Sequence, residues 1–441
     1  MQTTVSNQGK PAMNSPKSGG VFAVFQNRSY ALYFSGQFVS LVGTWMQQVA
    51  LSWYTYTLTN SPLLLAVVGA SSQLPSLLIM PFAGVFADRL NRKKVIVTTQ
   101  LLAMVEASIL AYLTLTHQVQ VWHLIGLGLF AGVINAFDMP TRSAFVYDLV
   151  DKKSDLPSAI AMNSTLMNIT RLIGPALAGF VVAMFGTGTC FLLNAISYIV
   201  PVCALALIKG NFKNQHKVTK GSIGAELKEG LMYVMRTPGV RALILMLGVF
   251  GIGGMAYAML LPVYVKSIGG DSNTLGYLMT ASAIGSLCGT FMLASRKSVL
   301  GLGKWIVLSS FAFSIFMMLF AMTNSFWPAM IVLAFVGACM MIQMASINTI
   351  LQTIVEEDKR GRVMSLFTMA FMGAAPIGSL AAGALADRIG ISQTLMGCGI
   401  YCFIVSVVFA LHVPRLREAT RPIYIEKGLL MAEEEAKAVG A

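Results

Sequence analysis

The sequence predicts an all-α polytopic membrane protein with 12 transmembrane helices in two six-helix bundles. Three observations carry that expectation. A dozen long apolar segments run along the chain, hydrophobic residues make up 56% of it against 11% charged, and Lys and Arg fall almost entirely in alternate gaps between the segments. A mean hydropathy of +0.71 over 441 residues exceeds what a water-soluble chain can bury.

The segments lie at roughly 30–57, 62–87, 94–115, 121–146, 158–185 and 189–208, then 241–265, 273–295, 304–323, 326–354, 363–386 and 393–412. Each has about 20 residues or more, enough to cross a hydrocarbon core of roughly 30 Å as a helix. An even number of crossings leaves both termini on one side. The net charge of +13 would suggest nucleic acid in a soluble domain, but its distribution argues against that partner. Lys266 and Arg388 fall in the sparsely charged gaps and Arg142 and Arg171 within or at the edge of spans, which leaves 27 of the 31 basic residues on the other side. By the positive-inside rule that side is cytoplasmic and the chain belongs in the cytoplasmic (inner) membrane.

Residues 1–27 are rich in Ser, Asn, Gln and Lys, lack an apolar run with a small-residue cleavage site, and read as a cytoplasmic tail. Residues 28–208 form the first bundle. The gap 209–240 carries Lys209, Lys213, Lys217, Lys220, Lys228 and Arg236 and an amphipathic stretch near Ile223–Val234, and reads as a cytoplasmic linker against anionic lipid. Residues 241–413 form the second bundle and 414–441 a second cytoplasmic tail. The six cysteines all lie in predicted spans and behave as small apolar residues.

The halves repeat. Basic gaps follow spans two, four, eight and ten, and 162–179 parallels 364–383 in its placement of Gly, Pro and Ala. Gly174, Pro175 and Gly179 in span five and Pro376 in span eleven are expected to let these helices bend and pack closely, because proline removes a backbone hydrogen bond.

The loop after span two reads GVFADRLNRKKVI, with Gly84, Asp88, Arg89, Arg92 and Lys93 as its skeleton. It resembles the G-x-x-x-D-R-x-x-R-K signature of the major facilitator superfamily at the same place in the topology, with Asn91 where that family often has Gly. The resemblance implies the major facilitator fold and a gate, in which Asp88 pairs with a nearby Arg or caps a helix of the other half. A degenerate copy follows span eight, where Gly289, Ser295, Arg296, Lys297 and Lys304 keep the basic character without the carboxylate. Gly174-Pro175-Ala176-Leu177-Ala178-Gly179 looks like the G-P-x-x-x-G element of the drug/proton antiporter branch, with Thr170 in place of its preceding glycine. Asn135 to Arg142, together with Arg171, resembles the bacterial exporter subgroup that includes the enterobactin exporter.

Charges within the spans are costly in hydrocarbon and mark function. Glu106, Asp138 and Arg171, with Arg142 one turn from Asp138, are the proton-coupling candidates. Glu106 and Arg171 reach similar mid-membrane depth, and the sequence allows them to pair; Asp138 and Arg142 stand at i, i+4. Candidates for a substrate cavity are Gln37, Gln48, Asn135 and Asn163 in the first half, and Met255, Met259, Gln343, Met344 and Phe367 in the second.

No G-x-x-x-x-G-K-[ST], H-E-x-x-H or G-x-S-x-G occurs and the four histidines are scattered, so neither ATP use, a metal site, a cofactor nor enzymatic chemistry is expected. The reading is a monomeric secondary transporter working by alternating access: proton-coupled efflux of a small amphipathic compound, drug-like or siderophore by resemblance. The alternatives are proton-coupled or facilitated uptake, lysolipid movement, or a non-transporting receptor or assembly factor on the same fold.

Overall fold

A computed structural model describes residues 21–150, 153–209, 223–296, 298–426 and 428; within these ranges the side chains of 21–23, 81, 84–89, 153, 223, 225–227, 417, 419 and 426 lie outside the description. Twelve membrane helices follow one another: α1 (Arg28–Thr59), α2 (Pro62–Arg89), α3 (Arg92–Leu115), α4 (Val121–Leu149), α5 (Leu156–Phe185), α6 (Thr187–Leu207), α7 (Pro238–Ser267), α8 (Ser272–Ala294), α9 (Leu302–Met322), α10 (Phe326–Ile354), α11 (Glu357–Ile389) and α12 (Ile391–Glu426). Eleven are long and apolar enough to cross a membrane; α1, the twelfth, spreads Gln37, Ser40, Thr44, Gln47 and Gln48 over 32 residues. Large apolar side chains such as Phe291, Trp327 and Leu411 stay exposed on the outside of the bundle, as a lipid-facing surface requires.

Side-chain oxygens start several helices. Asn27 accepts from the Tyr30 amide, Asn91 from Lys94 and Asp271 from Thr274, each satisfying an amide that the first turn leaves free. Gly186 (φ 82) ends α5 and Gly390 (φ 85) ends α11 in the left-handed region open to glycine. The same turn therefore closes the same helix in both halves.

Packing repeats with it. In the first bundle α2 lies on α4, α1 on α5 and α3 on α6; in the second α8 lies on α10, α7 on α11 and α9 on α12. Adding six to each helix number maps one set onto the other, the signature of an internal repeat. The bundles meet chiefly along two helix pairs, α5 with α8 and α2 with α11, with α7 adding smaller contacts to α1 and α2. Small residues let those backbones touch: a Cβ added at Gly276 would lie 2.6 Å from the Pro175 carbonyl oxygen, and one at Gly383 only 2.8 Å from that of Pro62.

The breaks come at unexpected places. Pro175 and Pro376 sit inside continuous helices, whereas α6 is interrupted at Tyr198 and α7 at Met255. Pro201 lacks the N–H that would bond to Ser197, and Met255 follows Gly251, Gly253 and Gly254, which weaken helix locally. Residues 21–26 form a 3-10 turn whose Val24 is buried, and Asn27 donates to the Leu149 carbonyl, so the end of the expected tail packs onto the first bundle at Val24 and Asn27. The linker helix (Ile223–Arg236) docks on α11 through Glu229 and Arg362, 2.6 Å apart, with Lys359 over the Tyr233 ring. Residues 210–222 of the predicted linker, with Lys213, Lys217 and Lys220, lie outside the described residues, as do residues 1–20 and 429–441.

Candidate functional site: a buried polar seam and a central cation

Asp138 of α4 is 5% exposed and bonds to Arg142 across 2.5 Å, one turn along the same helix. Its other oxygen accepts from the Thr99 hydroxyl at 2.6 Å and the Gln100 amide at 3.3 Å, both on α3. A buried carboxylate needs this much compensation to stay charged. From Gln100 the polar contacts continue: the Ser40 hydroxyl donates to its carbonyl oxygen, and the Thr44 hydroxyl donates to the Ser40 backbone. Thr44 also meets the Tyr198 hydroxyl at 3.2 Å, and Asn194 donates to both Tyr198 and the Gln47 carbonyl oxygen.

The seam ends at Glu106, 4% exposed, where the Gln47 amide donates to both carboxylate oxygens at 3.2 and 2.9 Å. Among the described residues Glu106 therefore has an amide partner and no cation. Glu106 and Arg171, which the sequence allows to pair, do not meet, because α3 packs on α4 and α6 while α5 packs on α1 and α8. Arg171 points elsewhere. It is exposed, its guanidinium lies 5.9 Å from the centre of the Trp45 ring, and Tyr257 of α7 lies within its electrostatic reach. Trp45 seats itself against Gly174, where an added Cβ would come within 2.4 Å of the Trp45 Cβ.

The cationic loop motif divides. Gly84, Asp88 and Arg89 form the last turns of α2, and their side chains lie outside the described residues. Arg92 bonds to Asp148 at 2.7 Å and Lys93 donates to the Ile208 carbonyl at 2.6 Å. These two tie the ends of α3, α4 and α6 together within one bundle. In the degenerate copy Arg296 stacks over Trp305 and donates to the Leu300 carbonyl, and Lys297 lies outside the described residues.

The cavity candidates scatter. Gln48 and Asn135 are exposed, Asn163, Met255 and Met344 half-buried, and Phe367 buried. Met259 packs onto Gly69 of α2, as part of the contact between bundles. Gln37 and Gln343 are 1% and 2% exposed, with no hydrogen-bond partner among the described residues. Gln343 is informative by position: α4 and α10 have 29 residues each, and Gln343 occupies in α10 the step that Asp138 occupies in α4, with Ile347 in place of Arg142. The second half holds the polar site without the charges. Among the described residues no group of three or more His, Cys, Asp and Glu is placed to hold a metal.

Sequence reasoning missed Trp45, Thr99, Gln100, Asn194 and Tyr198. Gln100 and Asn194 carried a signal, since an amide in the middle of a span needs a partner. The partners themselves belong to tertiary packing.

Two contiguous six-helix bundles with buried charge inside one of them define a major facilitator transporter, a multi-pass membrane protein and not an enzyme. Residues 19–431 match the transmembrane secretion effector family, and the chain belongs to it. It is 28% identical to the staphyloferrin A transporter of Staphylococcus aureus (strain NCTC 8325 / PS 47), over 86% of this chain and 94% of that one. It is 24% identical to the multidrug efflux pump Tap of Mycolicibacterium fortuitum, over 84% and 92%, and 22% identical to the macrolide efflux protein A of Streptococcus pyogenes, over 85% and 93%. Among solved structures, a mutant form of the nucleoside transporter NupG superposes with a TM-score of 0.73 at 12% identity, covering 87% of this chain and 99% of that chain. A bacterial homologue of the human lysosomal transporter Spinster, inward-facing and unoccupied, superposes at 0.70 and 13% identity, over 89% and 98%.

Proposed function

We propose that this transporter is a proton-coupled exporter that moves a small amphipathic compound out of the cytoplasm by alternating access. The observation that carries the reading is the one-sided closure between the bundles. Among the described residues the contacts that cross between them run from mid-membrane to the face opposite the linker. Thr280 donates to Leu172, Ser272 to Gly179 and Ser61 to Asp387, and Lys266 lies over the Trp53 ring. On α5 the stripe Ile160, Ser164, Met167 and Arg171 is exposed, whereas Gly174, Pro175 and Ala178 further along the same face are buried. On α11 Gly361, Ser365 and Thr368 are exposed and Pro376, Ser379 and Gly383 buried. The seam opens toward the linker, and the excess of Lys and Arg on that face favours its being cytoplasmic, with both termini there.

In this arrangement substrate enters from the cytoplasm, the bundles rock, and the closed face opens. Coupling belongs to the polar seam of the first bundle. Asp138 and Glu106 are its proton-carrying candidates, since motion of α1, α3, α4 and α6 changes the partners that each carboxylate keeps. Asp88 serves as the cytoplasmic latch of the cycle. The relatives named for a siderophore, for drugs and for a macrolide support substrates of the amphipathic class.

The test is flux into inside-out proteoliposomes of the purified protein, offered staphyloferrin A, a macrolide and a drug panel. An acidic lumen is expected to accelerate accumulation of at least one. Saturable flux indifferent to the pH gradient would replace this reading with a uniporter.

A further inference from the structure

Arg171 lies 15 residues from the start of α5 and 14 from its end, about 22 Å into the helix, at the depth where a cation is hardest to keep in a membrane. Among the described residues nothing anionic holds it there. Asp138 is taken by Arg142, Thr99 and Gln100, Glu106 by Gln47, and between their ends α7 to α10 carry no acidic residue. The guanidinium stands where the exposed stripe of α5 gives way to its buried one, 5.9 Å from the centre of the Trp45 ring, with Tyr257 of the other bundle, whose hydroxyl meets Ser282 at 3.1 Å, within its electrostatic reach. It thus marks the closed end of the open seam, where both bundles supply side chains. Resting on the reading of this seam as the substrate path, we propose that Arg171 binds a carboxylate group of the transported molecule, so that the substrate is an amphipathic anion and not an amphipathic cation.

The chemistry fits both parts of such a molecule. Guanidinium offers planar, paired donors to a carboxylate, and the Trp45 ring, its centre 5.9 Å from the guanidinium carbon, lies within cation–π range. Around it Leu172 and Met167 supply apolar surface for the remainder. An ammonium-bearing compound would meet an uncompensated like charge in a partly desolvated site, which discriminates against it. A brace for Trp45 alone would not need the edge to be accessible, and Arg171 is exposed.

The experiment is equilibrium binding to the full-length protein in nanodiscs, read by fluorescence of dansyl-labelled aryl carboxylic acids, their methyl esters and the matching amines. The acids are expected to bind about 10- to 100-fold more tightly than their esters, the range for a hydrogen-bonded charge pair, and the amines more weakly still. Arg171→Gln should bring acids and esters level, and Arg171→Lys should keep part of the preference. Thermal unfolding of each variant reports on folding; should Arg171→Gln fail to fold, the wild-type acid-to-ester ratio and Arg171→Lys decide. Esters or amines binding as well as acids, acid affinity unmoved by Arg171→Gln, or no acid of the series binding would overturn the assignment. Binding needs no gradient. Loss of charge preference with pH-driven transport intact removes only the substrate class, whereas absent pH-driven transport with charge preference intact removes the coupling reading and leaves this one standing.

Discussion

Glu106 and Asp138 are both buried carboxylates, yet their partners differ in kind, and the difference sets what each substitution should do. Asp138 neutralises Arg142. Removing its charge strands a buried guanidinium, which costs roughly 3 to 5 kcal/mol, so Asp138→Ala should lower abundance and thermal stability sharply. Asp138→Ala combined with Arg142→Met should recover much of both, since no charge is then left unpaired. Equal damage from single and double variants, measured as unfolding midpoints in detergent, would argue that the pair is not an isolated unit. Among the described residues Glu106 bonds to the Gln47 amide alone, and Glu106→Gln should therefore fold well. The i, i+4 spacing made the Asp138–Arg142 pair legible along the chain. The Gln47–Glu106 contact was not, because it depends on α1 and α3 meeting, and Glu106 was equally compatible with Arg171.

Helix boundaries followed from local chemistry wherever a cap or a glycine marked them. Asp271 starts α8, accepting from the Thr274 amide at 2.9 Å and hydroxyl at 2.8 Å. Partial burial acts to raise its carboxyl and the bonds from Thr274 outweigh it, so the group sits below the usual carboxylate range. A carboxyl lowered by folding contributes stability above the unfolded carboxylate range and loses it as pH falls through the folded value. Asp271→Ala should cost about 1 kcal/mol, a typical cap loss, and flatten the acid limb of the stability profile; an unchanged acid limb would deny the cap that role. Other features escaped local reading. The interruption at Met255 reflects a glycine cluster whose effect depends on packing against α11 and α12, whereas Pro376 lies inside α11 without interrupting it. Residues 414–426, expected as a tail, continue α12 as helix through Pro414 and Pro422.

At the scale of the molecule, span count, charge asymmetry and the repeated order of basic gaps were enough to foresee two six-helix bundles, since those patterns answer to the bilayer. Which helix faces meet was not foreseeable in the same way. Small residues line both the α5–α8 contact and lipid-exposed faces, and only packing separates them. Topology follows from the charge pattern: a reporter fused at Lys217 or after Arg421 should register as cytoplasmic, while cysteines at Thr187 and Ser325 should label from outside. Labelling of Lys217→Cys from outside would reverse the orientation. The gate is tested by Asp88→Asn, which should cut transport with insertion preserved, because the amide keeps the shape and loses the charge.

The central claim is that proton coupling resides in the buried seam of the first bundle while substrate moves between the bundles. Proton and substrate flux measured together in the same proteoliposomes, for Glu106→Gln and Asp138→Asn beside the wild type, tests it most directly. The prediction is loss of gradient-driven transport and of its proton movement in at least one variant, with substrate counterflow near the wild-type rate in Glu106→Gln, and in Asp138→Asn when counted per folded molecule because that variant also strands Arg142; a permanently neutral group still permits reorientation but cannot exchange a proton. Full pH-driven transport in both variants would contradict it.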